Sequence, residues 1–129
     1  MVESTPYHNF TILVVDDSDE LRNSIIFDLK RKGFNILSAN NGLTAFEIVK
    51  ANKVDLVVSD IRMPGGDGLA LLNEIRLHSQ DIPVVILVTG FSDITEEECK
   101  KKGAKEVISK PFERKRLMTA VLETLNLKA

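Results

Sequence analysis

Val54-Asp55-Leu56-Val57-Val58-Ser59-Asp60-Ile61-Arg62-Met63-Pro64-Gly65-Gly66-Asp67-Gly68 is the stretch whose reading decides the fold. A run rich in Val and Leu, set between Asn52-Lys53 and a Pro-Gly-Gly turn, predicts a strand buried on both faces, as in a parallel sheet. The run stops on a carboxylate, Asp60, at the strand's carboxyl end. Open parallel sheets bind ligands at that end. A lone acid there either turns the loop or serves a ligand, and the other strands decide between the two.

To the N-terminal side, Phe10-Thr11-Ile12-Leu13-Val14-Val15 is a short β-branched run that exits on Asp16-Asp17. Ser18 then offers a helix cap, and a helix to about Lys32 is expected to bury Leu21, Ile25, Ile26 and Leu29 before Gly33 ends it. Phe34 to Ala39 reads as the second strand and Leu43 to Ala51 as the second helix, with Ala45, Phe46 and Val49 facing inward.

To the C-terminal side, Leu69, Leu72 and Ile75 mark the third helix, and Val84 to Thr89 the fourth strand, which Pro83 is free to open. Asp93 with Glu96 resembles a capping pair for a fourth helix whose only apolar members are Ile94 and Cys99. Glu106 to Ser109 is a short fifth strand, and Glu113 to Leu127 a last helix burying Leu117, Val121 and Leu125. Five alternating βα units imply an α/β fold with an open, doubly wound parallel sheet covered by helices on both faces. In the flavodoxin-like variant the strand order is 2-1-3-4-5, which sets the first and third strands side by side.

The 129 residues, 43% hydrophobic and 28% charged, suit one domain over residues 10–127 behind a loosely held lead-in over 1–9. No apolar run approaches the roughly 20 residues of a membrane span, and Met1-Val2-Glu3-Ser4-Thr5-Pro6 lacks the regions of a signal peptide. A cytoplasmic protein with no membrane partner is therefore expected. Cys99, the single cysteine, has no partner for an internal disulfide. A net charge of −2 lacks the basic excess of a nucleic-acid binder, so no direct nucleic-acid contact by this domain is expected.

The strand exits deliver Asp16 and Asp17, Asp60, Thr89 and Lys110 to one rim. Each has an ordinary use as cap, strand residue or solvated side chain, but their coincidence on one edge points to chemistry. Carboxylates about 4 Å apart repel by about 4 kcal/mol per pair at an effective dielectric of 20, so positive charge belongs among them. Lys110 supplies one charge. Oxygen donors without a neighbouring His or Cys favour Mg²⁺ over zinc, and three acids, one Lys and Mg²⁺ sum to zero. Such a site is equipped to receive a phosphoryl group on an Asp carboxylate.

These motifs, namely Asp16-Asp17, Asp60 with Met63-Pro64 and Asp67-Gly68, Thr89-Gly90 and Lys110-Pro111-Phe112, resemble the receiver domain of two-component response regulators. The resemblance implies that Asp60 accepts phosphate from the phosphohistidine of a sensor histidine kinase or a histidine phosphotransfer protein. It further implies that Asp17 binds Mg²⁺ directly, with Asp16 assisting largely through water and the Arg62 carbonyl as a further ligand. Lys110 would pair with the phosphoryl group, Thr89 would move to hydrogen-bond it, and the Lys110–Pro111 bond would be cis. The face of the fourth helix, fifth strand and fifth helix would change on phosphorylation and serve as the partner or homodimer surface.

Val107 stands where the family often carries an aromatic residue, three before the Lys, so a Thr–aromatic switch is not expected. Thr89, the loop Gly90-Phe91-Ser92 and the thinly packed fourth helix take its place in this reading. Arg62 and Phe91 flank the path of an attacking water and predict slow autodephosphorylation. A flavodoxin-like electron carrier would want an anion cradle where Asp16-Asp17-Ser18-Asp19 stands, and an aspartyl-phosphate hydrolase an acid where Arg62 follows Asp60. The expected protein is a phosphoacceptor regulator rather than a turnover enzyme, either single-domain or a piece of a longer regulator or hybrid kinase.

Overall fold

The computed structural model describes residues 6–63, 67–90 and 94–127. Five strands, β1 (Thr11–Val15), β2 (Asn35–Ala39), β3 (Leu56–Asp60), β4 (Val84–Thr89) and β5 (Glu106–Ser109), alternate with helices α1 (Asp19–Lys32), α2 (Gly42–Ala51), α3 (Gly68–His78), α4 (Glu96–Lys101) and α5 (Arg114–Thr124). The strands form one sheet in the order β2-β1-β3-β4-β5, with every pairing parallel. This is the expected doubly wound, flavodoxin-like topology.

The continuous apolar runs arise because each strand feeds two cores at once. Leu13, Val15, Val57, Val85, Leu87 and Val107 point to the side covered by α2, α3 and α4, where Ala45, Val49, Leu72, Ile75 and Cys99 meet them. Ile12, Val14, Leu56, Val58, Ile86, Val88 and Ile108 point to the side covered by α1 and α5, against Ile25, Leu29, Leu117 and Val121. Side chains on a strand alternate between faces, so a strand covered on both is apolar along nearly its whole length, and the buried Ser59 hydroxyl is satisfied by the Asp60 carbonyl.

Local signals end the helices largely where expected. The Ser18 hydroxyl accepts the Leu21 amide at 3.2 Å, and Gly33 closes α1 in the left-handed conformation at φ 113°. Two ends differ. The cap of α4 is Thr95, not Asp93: its hydroxyl accepts the Glu98 amide at 3.0 Å and the Glu98 carboxylate accepts the Thr95 amide at 3.4 Å. Asp93, with Phe91 and Ser92, lies outside the described residues. Helix α5 stops at Thr124 because Asn126 turns to φ 59° and the Leu127 amide closes on the Leu122 carbonyl at 2.7 Å. Leu122 is therefore buried, whereas Leu125 packs against the core only in part.

Part of the expected loose lead-in is docked. Pro6–Asn9 forms a 3-10 turn, the Tyr7 ring stacks on Phe34 at 5.1 Å, and Asn35 Nδ2 donates to the His8 carbonyl at 2.7 Å. Among the described residues, no helix is long and apolar enough to cross a membrane.

Candidate functional site

Sheet register builds the site. Val15 on β1 is level with Ser59 on β3, Asp60 with Val88 on β4, and Thr89 with Ser109 on β5. The residues leaving these strands therefore meet on one edge: Asp16 after β1, Asp60 at the end of β3, Thr89 at the end of β4 and Lys110 after β5. One carboxylate oxygen from each of Asp16, Asp17 and Asp60 lies within 4.8 Å of the others. Asp60 and Asp16 are buried and Asp17 faces solvent, so the cluster opens outward on one side.

Lys110 supplies the counter-charge. Its Nζ is 3.1 Å from Asp60 Oδ2 and 3.9 Å from Asp16 Oδ2. Its own amide donates to the Thr89 carbonyl at 2.7 Å, which ties the β5 exit to the β4 exit. The Lys110–Pro111 bond is cis, as is Ile82–Pro83. Burial pushes the Asp16 carboxyl above its ordinary range; the Ser18 amide and Lys110 oppose this, while the charges of Asp60 and Asp17 add to it. Asp16 Oδ1 accepts the Ser18 amide at 2.8 Å, and the Asp16 amide donates to the Ala39 carbonyl at 3.2 Å.

Arg62 lies two residues beyond Asp60 with an exposed side chain. Pro64-Gly65-Gly66, read above as the turn after the third strand, lie outside the described residues. Asp67 is used as a helix cap, its Oδ1 accepting the Ala70 amide at 2.8 Å. Thr89 is buried at the rim, and Val107 packs into the core beside α4.

Two supporting roles, those of Gly68 and Arg22, escaped the sequence. A Cβ on Gly68 would come within 2.3 Å of the Asp60 carbonyl oxygen, so the first turn of α3 sits directly on the backbone that carries this acid. The Gly68 amide donates to the Ile61 carbonyl at 2.7 Å, and the Ser59 hydroxyl donates to the Asp60 carbonyl at 2.9 Å. Arg22 reaches back from α1 to the Asp16 carbonyl at 2.8 Å. Gly following a cap residue hinted at the first; nothing in the local spacing marks the second.

Three carboxylates and one ammonium leave a net charge of −2, and the donor set is all oxygen. That arrangement fits a hard divalent cation of the Mg²⁺ class and, among the described residues, offers no nitrogen or sulfur ligand to a softer one.

A family model for the response regulator receiver domain matches residues 12–122. The regulatory protein AtoC of Escherichia coli (strain K12) is 37% identical over 119 residues, which are 92% of this chain and 26% of AtoC. The chain thus spans about a quarter of the length of that curated relative. NtrX from Brucella abortus, solved in complex with ADP, aligns with a TM-score of 0.82 at 31% identity over 90% of this chain and 27% of its own. The CheX-CheY-BeF3-Mg complex from Borrelia burgdorferi aligns with a TM-score of 0.84 at 30% identity over 90% of this chain and 89% of that one.

Proposed function

Since the chain belongs to the response regulator receiver family, we propose that it is a phosphorylation-controlled switch whose acceptor is Asp60. The observation that carries this reading is the meeting of the Asp16, Asp17 and Asp60 carboxylates within 4.8 Å, with Lys110 Nζ 3.1 Å from Asp60 Oδ2. Asp16, Asp17, Asp60 and the main-chain carbonyl of Arg62 would hold Mg²⁺. Bound there, the metal would neutralise the acids and the equatorial oxygens of an incoming phosphoryl group. The Borrelia relative was solved with Mg and BeF3, which supports the same loading here by likeness.

The donor is the phosphohistidine of a sensor histidine kinase or histidine phosphotransfer protein. A carboxylate oxygen of Asp60 attacks phosphorus while the P–N bond breaks. The bonding pair stays on the imidazole nitrogen, which takes a proton from solvent, and Asp60 carries an acyl phosphate. Lys110 already touches this carboxylate and can follow the transferred charge without crossing the site. Thr89, at the neighbouring strand end, supplies a hydroxyl toward the phosphoryl oxygens. Hydrolysis reverses the change: water attacks phosphorus, the P–O bond to Asp60 breaks, and the carboxylate returns.

The output runs through the face of α4, β5 and α5. Helix α4 has six residues and buries only Cys99, which suits an element of low local stability. Val107 packs in the core with no aromatic ring to rotate, so movement of Thr89 and α4 carries the signal. This face also serves partners or a second copy, in the cytoplasm, with no nucleic-acid contact by the domain itself. The exposed Arg62 side chain, together with Phe91, makes the acyl phosphate slow to hydrolyse.

The test is the intact mass of the chain after incubation with Mg²⁺ and acetyl phosphate, beside Asp60→Asn. The native chain is expected to gain one phosphoryl group and the variant none. No gain on the native chain, or an equal gain on both, would remove Asp60 as acceptor.

A further inference from the structure

Arg22 occupies the first turn of α1, its amide donating to the Ser18 carbonyl at 2.9 Å. Its guanidinium does not extend into solvent. Nη1 turns back and donates to the main-chain carbonyl of Asp16 at 2.8 Å, while Nη2 pairs with Asp19. The Arg22 side chain is 15% exposed although its partner Asp19 is 80% exposed. A surface helix pair would leave both ends in water and contribute little.

The bonded carbonyl belongs to the peptide joining Asp16 to Asp17. A peptide unit is planar, so fixing its oxygen fixes the direction in which the Asp17 Cα leaves it. Asp16 is held otherwise too: its amide by Ala39 and its carboxylate by the Ser18 amide. Asp17, the exposed member of the acid cluster, leaves from that peptide plane, and the Ser18 amide belongs to the peptide that follows it.

We propose that Arg22 is a positioning residue for the acidic site: by holding the Asp16 carbonyl, it keeps the Asp17 carboxylate within reach of the cation that Asp16 and Asp60 share. This rests on reading the three acids as a Mg²⁺ site. Outer-layer partners of metal ligands typically account for about 10–100-fold in affinity. Arg22 differs from most of them in gripping the backbone of a ligand instead of its side chain.

Isothermal titration of the whole metal-free chain with MgCl2 tests it, for the native protein, Arg22→Met, Arg22→Lys and Asp19→Asn. Arg22→Met is expected to weaken Mg²⁺ binding by about tenfold or more. Arg22→Lys keeps one donor and should restore most of that loss, while Asp19→Asn should stay within about twofold of native, since it removes only the exposed pair. Acetyl phosphate uptake should show the same order as a raised Mg²⁺ requirement, with the rate at saturating Mg²⁺ nearly unchanged.

Native-like Mg²⁺ affinity in Arg22→Met, whatever its melting temperature, would overturn the inference, as would an equal loss in Asp19→Asn. If Arg22→Met does not fold, Arg22→Gln takes its place under the same criteria. A native chain that binds no Mg²⁺ would overturn the metal site and this inference together; a native chain that binds while Arg22→Met binds equally would overturn the inference alone.

Discussion

Gly68→Ala sets tertiary packing against local propensity. Ala is the better helix former by about 1 kcal/mol, and position 68 is the first residue of α3, so propensity alone predicts a neutral or stabilising change. The structure predicts the opposite. The added Cβ would lie 2.3 Å from the Asp60 carbonyl oxygen and 3.0 Å from both the Asp60 carbonyl carbon and the Ile61 Cα, all backbone atoms that cannot swing aside. Overpacking of this kind costs about 1–3 kcal/mol. For a chain of this size each kcal/mol lowers Tm by roughly 3–6 °C.

Gly90→Ala is the matched control, because among the described residues its Cβ would meet only the flexible Lys110 Cδ at 3.8 Å. Its expected change is neutral to slightly stabilising, through a less flexible unfolded chain. Thermal melts followed by circular dichroism decide the matter, and acetyl phosphate uptake by Gly68→Ala should fall as α3 is pushed off the Asp60 backbone. A Tm for Gly68→Ala equal to or above native would refute the close seating of α3 on the acid that β3 presents.

Asp16→Asn should raise Tm at neutral pH in metal-free buffer. The folded state raises the Asp16 pKa, so ionised Asp16 costs stability above that pKa; the cost fades as pH falls through it, and native and variant should converge below the ordinary value of 3.8. Lys110→Met leaves Asp60 and Asp16 without their cation and should destabilise by about 1–3 kcal/mol, less than a fully buried pair because the Lys side chain is 29% exposed. In a cycle with Asp60→Asn the losses should fail to add by about 1 kcal/mol, read from urea midpoints. Thr95→Ala removes the hydroxyl that caps α4 and should cost about 1 kcal/mol locally, seen as faster amide exchange at Glu98 and Cys99.

The fold was legible because the central strands are apolar on both faces and run out into polar residues at their carboxyl ends. Leu56 to Asp60 announces both a parallel sheet and the edge on which it binds. Asp16, Asp60, Thr89 and Lys110 could be placed together from topology alone, since parallel strands share one carboxyl edge and the register holds their ends level. What escaped was tertiary. Asp93–Glu96 and Thr95–Glu98 have the same capping spacing, and only backbone geometry chooses the second. Gly68 belongs to the quoted motif, but its close seating shows only when α3 is laid against Asp60, and Arg22 reads as a solvated helix residue until its side chain folds back on Asp16. Tyr7 looked like part of a polar leader because Phe34, the ring it stacks on, is distant in sequence.

The central claim is that the acid at the end of β3, and no other on the rim, takes the phosphoryl group. After phosphorylation with Mg²⁺ and acetyl phosphate, borohydride reduces an acyl phosphate to the alcohol, converting the modified aspartate to homoserine, which peptide mass spectrometry can locate. Homoserine at position 60 alone is the predicted result; homoserine at position 16 or 17, or at none of the three on a chain that has gained phosphate, would contradict it.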